Sequence, residues 1–215
     1  MIVIATNNGK IYLERLLNSI SDLGINEKIL IVDTGSTDDN HLNYLKELEN
    51  LENITVTQTP YKCYDTGAYM WAYNNFVEDN YHFMHDSIKL KDSEFINNCN
   101  SLLNNYDVVS YISFEFVGYG DEDWKQFFLK NAKTYEHEFG IFGPMFSIKR
   151  KTLDKLPIKN LTLPINKNQQ TAMESIWPTF FLEHKLSIYS MELYNHYRLI
   201  NDMYSHFEKT LLIRK

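Results

Sequence analysis

The alternation of short apolar runs with amphipathic stretches over residues 1–90 constrains the fold more than any other feature of the chain. Ile2-Val3-Ile4-Ala5 has the length and composition of a buried strand, and a polar turn at Thr6-Asn7-Asn8-Gly9 ends it. Tyr12, Leu13, Leu16, Leu17 and Ile20 recur at helical spacing, and Gly24 closes that helix. Lys28–Val32 is a second apolar run. It leads into Asp33-Thr34-Gly35-Ser36-Thr37-Asp38-Asp39, a turn rich in capping residues, and Leu42, Leu45 and Leu48 mark the next helix. Ile54–Thr57 is a third strand. A helix over Gly67–Glu78 follows, with Ala68, Trp71, Ala72 and Phe76 on one face, and Tyr81–Met84 is a fourth strand. Apolar runs of this length between helices predict an α/β fold with a mostly parallel, Rossmann-like sheet flanked by helices.

The remaining chain continues the pattern less regularly. A helix is predicted near Ser93–Asn104, a strand over Val108–Phe116, and a loop or helix through Asp121–Lys133. Phe139–Ile148 carries a glycine-bearing turn and a strand, and Pro157–Asn168 is the most loop-like stretch. A helix near Ala172–Leu182 and a strand at Leu186–Tyr189 complete the core, and Leu199, Met203, Phe207 and Leu211 suggest a C-terminal helix. With no repeat or low-complexity linker, the expectation is a single domain over 1–215. Its parts are a first half (1–90), a second half (91–198) and a C-terminal helix (199–215).

Charge excludes one class of partner. A net charge of −7, with Lys149-Arg150-Lys151 as the densest basic run, does not suit a nucleic acid, whose phosphates demand a basic patch. An acidic protein that handles a nucleotide diphosphate needs a local positive charge, which a metal ion supplies. The aromatic share of 14% is high, with 15 Tyr and 3 Trp; some rings belong to the core, and a surplus suits sugar rings, whose C–H faces pack on aromatic faces. Cys63 and Cys99 are too few for a disulfide framework or a zinc finger. There is no signal-peptide pattern and no membrane-length apolar run, so a cytoplasmic protein without a transmembrane segment is expected; homo-oligomer formation is left open.

Ligands of open parallel sheets bind beyond the carboxyl ends of the strands. The polar residues that fall there are Thr6, Asn7, Asp33, Asp65 and the run His85-Asp86-Ser87. Asp33 and Asp86 each have a turn role as the alternative; their joint placement favours a binding site.

These elements resemble the family 2 glycosyltransferases of GT-A fold, of the bacterial or phage polysaccharide type. The matching segments are Ile2–Asn7 with Ile31–Asp38, then Asp65-Thr66-Gly67-Ala68-Tyr69 with Tyr81–Ser87. Gly140–Phe146 is similar to the glycine-containing loop before the acceptor side, and Ala172–Trp177 falls where the family carries its acidic catalytic motif. The resemblance spans roughly residues 1–190. It implies a hexosyltransferase-like enzyme that moves a sugar from a nucleotide donor, expected to be UDP-linked, to a saccharide or other hydroxyl acceptor with inversion. It also implies a divalent Mn²⁺ or Mg²⁺ cofactor. Thr6, Asn7, Asp33 and Asp65 would bind the nucleotide, Asp86 and His196 the metal, and Trp177 the acceptor sugar. Glu174 would be the general base that takes the acceptor proton; its alternative is an acidic residue favoured in a first helical turn.

The chain departs from the family pattern twice. His85-Asp86-Ser87 stands where Asp-x-Asp is usual, and Glu174-Ser175 where Glu-Asp is frequent, which keeps Asp65 and Glu183 as substitute bases. A non-catalytic nucleotide-sugar or carbohydrate-binding module is the alternative reading, and it would account for the reduced acidic motifs.

Overall fold

The computed structural model describes residues 1–60, 63–115, 120–133, 139–194 and 207–209. Its first half is a run of βα units: β1 (Ile2–Thr6), α1 (Lys10–Asp22), β2 (Ile29–Asp33), α2 (Asp39–Leu48), β3 (Ile54–Gln58), α3 (Tyr64–Asn75) and β4 (Asn80–His85). The second half comprises β5 (Ile88–Leu90), α4 (Phe95–Leu102), β6 (Val108–Glu115), α5 (Glu122–Asn131), β7 (Phe139–Ile141), β8 (Phe146–Lys149) and α6 (Arg150–Leu153). It continues through a 3₁₀ turn at Ile158–Asn160 to α7 (Lys167–Glu183), β9 (Ile188–Tyr194) and β10 (Phe207–Lys209).

The main sheet runs in the order β3-β2-β1-β4-β8-β6, with β1, β2, β3 and β4 parallel and β8 antiparallel to both β4 and β6. This is the mostly parallel α/β sheet that the apolar runs predict. β1 and β2 are buried at every position, as central strands covered on both faces must be. Alternate residues serve opposite faces. Ile2 and Ile4 join Leu13, Leu16, Ile20 and Leu45 of α1 and α2 in one core. Val3 and Ala5 join Ala68, Tyr69, Phe146 and Trp177 in the other, which α3, α5 and α7 cover.

The second half differs from expectation where the sheet turns antiparallel. β9 pairs along residues 108–114 of β6, so β7 and β8 share the opposite side of that strand. Between the pairs Ser110↔Phe146 and Ser113↔Ile141, β6 advances three residues and its partner five. The row β7–β8 is therefore a single strand interrupted by a two-residue bulge, with Gly143 at φ +56° inside it. The helix expected from Ala172 begins five residues earlier, at Lys167, because the Asn166 side chain caps it by accepting from the Gln169 N–H at 3.0 Å. Of the C-terminal helix expected over 199–215, only Phe207–Lys209 lies among the described residues. That piece is a strand paired antiparallel with β5.

The basic run has a structural use. Arg150 donates from one guanidinium nitrogen to the Tyr73 and Phe76 carbonyls at 3.2 and 3.1 Å and to the Tyr81 hydroxyl at 2.6 Å. Its guanidinium also lies 4.8 Å from the centre of the Tyr73 ring. It ties the end of α3 to β4 and β8. Among the described residues no helix is long and apolar enough to cross a membrane.

Candidate functional site

The strand order locates the site. The chain moves outward in one direction through β1, β2 and β3, then returns to the other side of β1 to form β4. The crevice beyond the carboxyl ends of β1 and β4 is the topological switch point, where open α/β sheets bind ligands. Thr6 ends β1, and Asp86 follows β4 directly.

These two residues meet there. Thr6 Oγ1 donates to Asp86 Oδ2 at 2.6 Å, within the range of a charge-assisted O–H···O⁻ bond. Asp86 also lies against the N-terminus of α1. A Cβ placed on Gly9, the N-cap residue, would fall 2.2 Å from Asp86 Oδ2. Gly9 has φ −109°, open to any residue, so glycine is required here for space alone. Gly9→Ala is therefore expected to displace the Asp86 carboxylate while leaving α1 intact. Circular dichroism should show unchanged helix content, and calorimetry should show the affinity of any ligand held by the Asp86 carboxylate falling about as far as in Asp86→Ala. Unchanged affinity would show that the carboxylate moves aside at no cost.

On the β2 side, Asp33 is 2% exposed. Its carboxylate accepts from the Ser36 N–H at 3.1 Å, the Ser36 hydroxyl at 2.5 Å and Gln58 Nε2 at 3.1 Å. This is the turn-capping geometry, with the aspartate facing the same strand ends. Asn7 Nδ2 donates to the Thr34 carbonyl at 3.2 Å. Asn8, at φ +52°, accepts from the Thr37 and Asp38 N–H groups at 2.8 Å each and pins the turn after β2 to the turn after β1. His85 pairs through its Nδ1 with the Ser87 hydroxyl at 2.7 Å.

Behind Thr6 lies His41, in the first turn of α2 and wholly buried, with Nε2 3.4 Å from Thr6 Oγ1. Burial lowers its pKa, against the opposing pull of Asp33 and Asp38, so the ring is neutral near pH 7.

The remaining carboxylates stand on α3 and α7. Gln170 and Glu174, one helical turn apart, share a face of α7. Gln170 Nε2 donates to Asp65 Oδ2 at 3.1 Å, and Glu174 Oε1 accepts from the Gly143 N–H at 2.9 Å. The bulge thus delivers a backbone donor to Glu174. Pro178 lies four residues further along α7 and cannot donate to the Glu174 carbonyl, which loosens the helix at this residue. Tyr69 is fully buried, and its hydroxyl has no hydrogen-bond partner among the described residues. Burial drives its pKa well above the usual tyrosine value, and the Asp65 and Asp86 carboxylates add to the shift.

Two sequence expectations fare differently. Trp177 is 1% exposed, its ring packs on Phe146 and Phe181 at 5.2 and 5.5 Å, and its N–H reaches Thr66 Oγ1 at 3.3 Å. It has no face to offer an acceptor sugar and is a core residue. His196 lies outside the described residues. His41 and Gln170 escape the sequence reading, although the spacing of Gln170 from Glu174 is a legible signal; Gly9 and Gly143 were read only as parts of a turn and of a glycine-containing loop.

Among the described residues no three of His, Cys, Asp and Glu come together as a preformed metal cage. The donor set suits a hard cation of another kind. Mg²⁺-like ions are commonly held by one or two carboxylates plus substrate phosphates, and a carboxylate has lone pairs beyond the one Thr6 uses. Asp86 would hold such an ion, with the diphosphate completing its shell.

No protein-family model matches the sequence, and no curated protein matches it. Solved structures do match. Residues 1–349 of S. aureus TarS superpose with TM-score 0.56 at 14% identity over 97% of this chain and 59% of that one. TarS 1–349 in complex with UDP-GlcNAc gives 0.56 and 14% over 94% and 60%. GalNAc-T7 with UDP, GalNAc and Mn²⁺ gives 0.60 and 13% over 90% and 43%. The chain therefore spans less than two thirds of each of these structures. Its central sheet with flanking helices is the GT-A fold.

Proposed function

We propose that this chain is a nucleotide-sugar-dependent glycosyltransferase that transfers a hexosyl unit from a UDP-linked donor to a hydroxyl acceptor, with inversion and with a divalent metal. The observation that carries the reading is the Thr6–Asp86 pair at the β1/β4 switch point, with Asp33 at the end of β2 beside it. Structural neighbours with UDP-GlcNAc, or with UDP, GalNAc and Mn²⁺, support the donor class and the metal.

In this reading Asn7, Asp33 and Asp65 line the nucleotide pocket, and Asp86, with His196 as a second ligand, faces the diphosphate. When bound, the cation supplies positive charge to the departing diphosphate. Glu174 accepts the proton of the acceptor hydroxyl as its oxygen bonds to the anomeric carbon. The bond to the diphosphate breaks on the opposite face, and the diphosphate leaves with the electron pair. The Gly143 N–H holds Glu174 Oε1 and so fixes where the proton is received. A cytoplasmic role in building a polysaccharide is consistent with this chemistry.

One described carboxylate and no cage predict a metal that binds together with the nucleotide. Calorimetry with Mn²⁺ alone should show negligible binding. UDP should bind about 5–150-fold more tightly with Mn²⁺ than with chelator, the usual span of coupling between ligands. Asp86→Ala should abolish that difference. Equal UDP affinity in both conditions would remove the metal from the mechanism. UDP binding with no hydrolysis or transfer of any UDP-sugar would favour the non-catalytic binding module.

A further inference from the structure

Thr6 was expected to touch the nucleotide, and its surroundings argue otherwise. The residue is 3% exposed. A threonine hydroxyl has one proton, and here it is given to Asp86 Oδ2 at 2.6 Å. The oxygen's lone pairs face inward, where His41 Nε2 lies 3.4 Å away. Since the Thr6 proton points to Asp86, His41 can only donate, which places its proton on Nε2. The other ring nitrogen, Nδ1, is then an acceptor, and it is buried with no hydrogen-bond partner among the described residues. A buried imidazole that leaves one nitrogen unsatisfied forgoes stability there, while its other nitrogen is placed on the hydroxyl that orients Asp86. The backbone around Thr6 is fixed too. Its carbonyl accepts from the Thr34 N–H at 3.0 Å and the Thr34 hydroxyl at 3.1 Å, and the Asp86 N–H donates to the Ala5 carbonyl at 3.2 Å.

We propose that His41 and Thr6 form a positioning relay, His41 Nε2–H to Thr6 Oγ1–H to Asp86 Oδ2, that aims the Asp86 carboxylate at the diphosphate-bound cation, with neither residue touching the nucleotide. The inference rests on the reading of Asp86 as the metal-facing carboxylate. Outer partners that orient a metal ligand commonly govern affinity about 10–100-fold. His41, unassigned by the sequence, gains a role that its burial and missing partner otherwise leave unexplained.

The test is UDP affinity measured by calorimetry in Mn²⁺ and again in chelator, with melting temperature as the check on folding. Thr6→Val keeps the shape and removes the hydroxyl. It should lose about 10–100-fold of the affinity in Mn²⁺ and none of it in chelator. Thr6→Ser restores the donor and should recover most of the loss. His41→Leu should shift affinity in the same direction by less, and it serves as the second probe should Thr6→Val not fold. Equal losses in Mn²⁺ and chelator would place Thr6 on the nucleotide and overturn the relay. So would a folded Thr6→Val indistinguishable from wild type while Asp86→Ala loses its metal dependence. A wild type indifferent to Mn²⁺, or a metal dependence that survives Asp86→Ala, would overturn the relay together with the role of Asp86.

Discussion

Glu174→Gln is expected to bind a UDP-sugar as tightly as the wild type and to turn it over about 10²–10⁴-fold more slowly, the usual contribution of a general base. The substitution preserves the shape of the side chain and the oxygen that accepts from the Gly143 N–H at 2.9 Å, so the bulge and α7 stay in place. Only the capacity to receive a proton disappears. A role confined to structure predicts a different result. Losing a charged acceptor for one backbone N–H would lower the melting temperature by the equivalent of about 0.5–1.5 kcal/mol and leave the rate nearly unchanged. Turnover and donor affinity measured on the same folded variant separate the two. Near-normal turnover would remove Glu174 from the chemistry, and Asp65, held by Gln170 one turn away on the same helix, would be the next carboxylate to test.

Trp177→Ala should cost about 3–5 kcal/mol of stability, the usual price of deleting a buried tryptophan. Its ring is enclosed by Phe146 and Phe181, and truncation would also strand the Thr66 hydroxyl that its N–H now meets. Against a total of about 5–15 kcal/mol for an ordinary domain, that loss is a large fraction. Urea unfolding measures it directly. A residue that floors an acceptor sugar behaves differently: stability persists and the acceptor KM rises. A folded Trp177→Ala protein of wild-type stability would reverse the assignment to the core.

The contrast between these two residues shows what was legible beforehand and why. β1, β2 and β4 are apolar runs because parallel strands covered on both faces have no solvent side. Their ends therefore announce the positions of Thr6, Asp33 and Asp86, though not whether each aspartate binds a ligand or caps a turn. The helix α1 was equally readable, since Leu13, Leu16, Leu17 and Ile20 form one stripe. α7 is another matter. Ala172, Met173, Ser175, Ile176, Trp177, Pro178 and Thr179 are all buried, so periodicity has no face to report and cannot separate a core ring from a binding ring. Its true start was hidden because Lys167–Gln170 is polar and the helix begins on a side-chain cap. β5 is three residues long and offers no run to read, whereas Phe139–Ile148 announced a glycine-bearing turn and one strand where the bulge in fact leaves two short pieces, β7 and β8. His41 could not be found at all from spacing, because the hydroxyl it meets lies 35 positions away.

The insertion of β8 between β4 and β6 has a consequence for how the chain acquires its shape. Every pairing within β1, β2, β3 and β4 is complete once residue 85 exists, whereas the second edge of β4 must wait for Phe146–Lys149. During synthesis Tyr81-His82-Phe83-Met84 is thus an open apolar edge for the time it takes to make about sixty further residues. At about 5–20 residues per second that is an interval of several seconds, ample for contact with another nascent chain or a chaperone. β8 closes this edge and at the same stroke brings the bulge and Gly143 into the sheet. The step that ends the exposure of the growing chain is therefore the step that sets the backbone donor opposite α7.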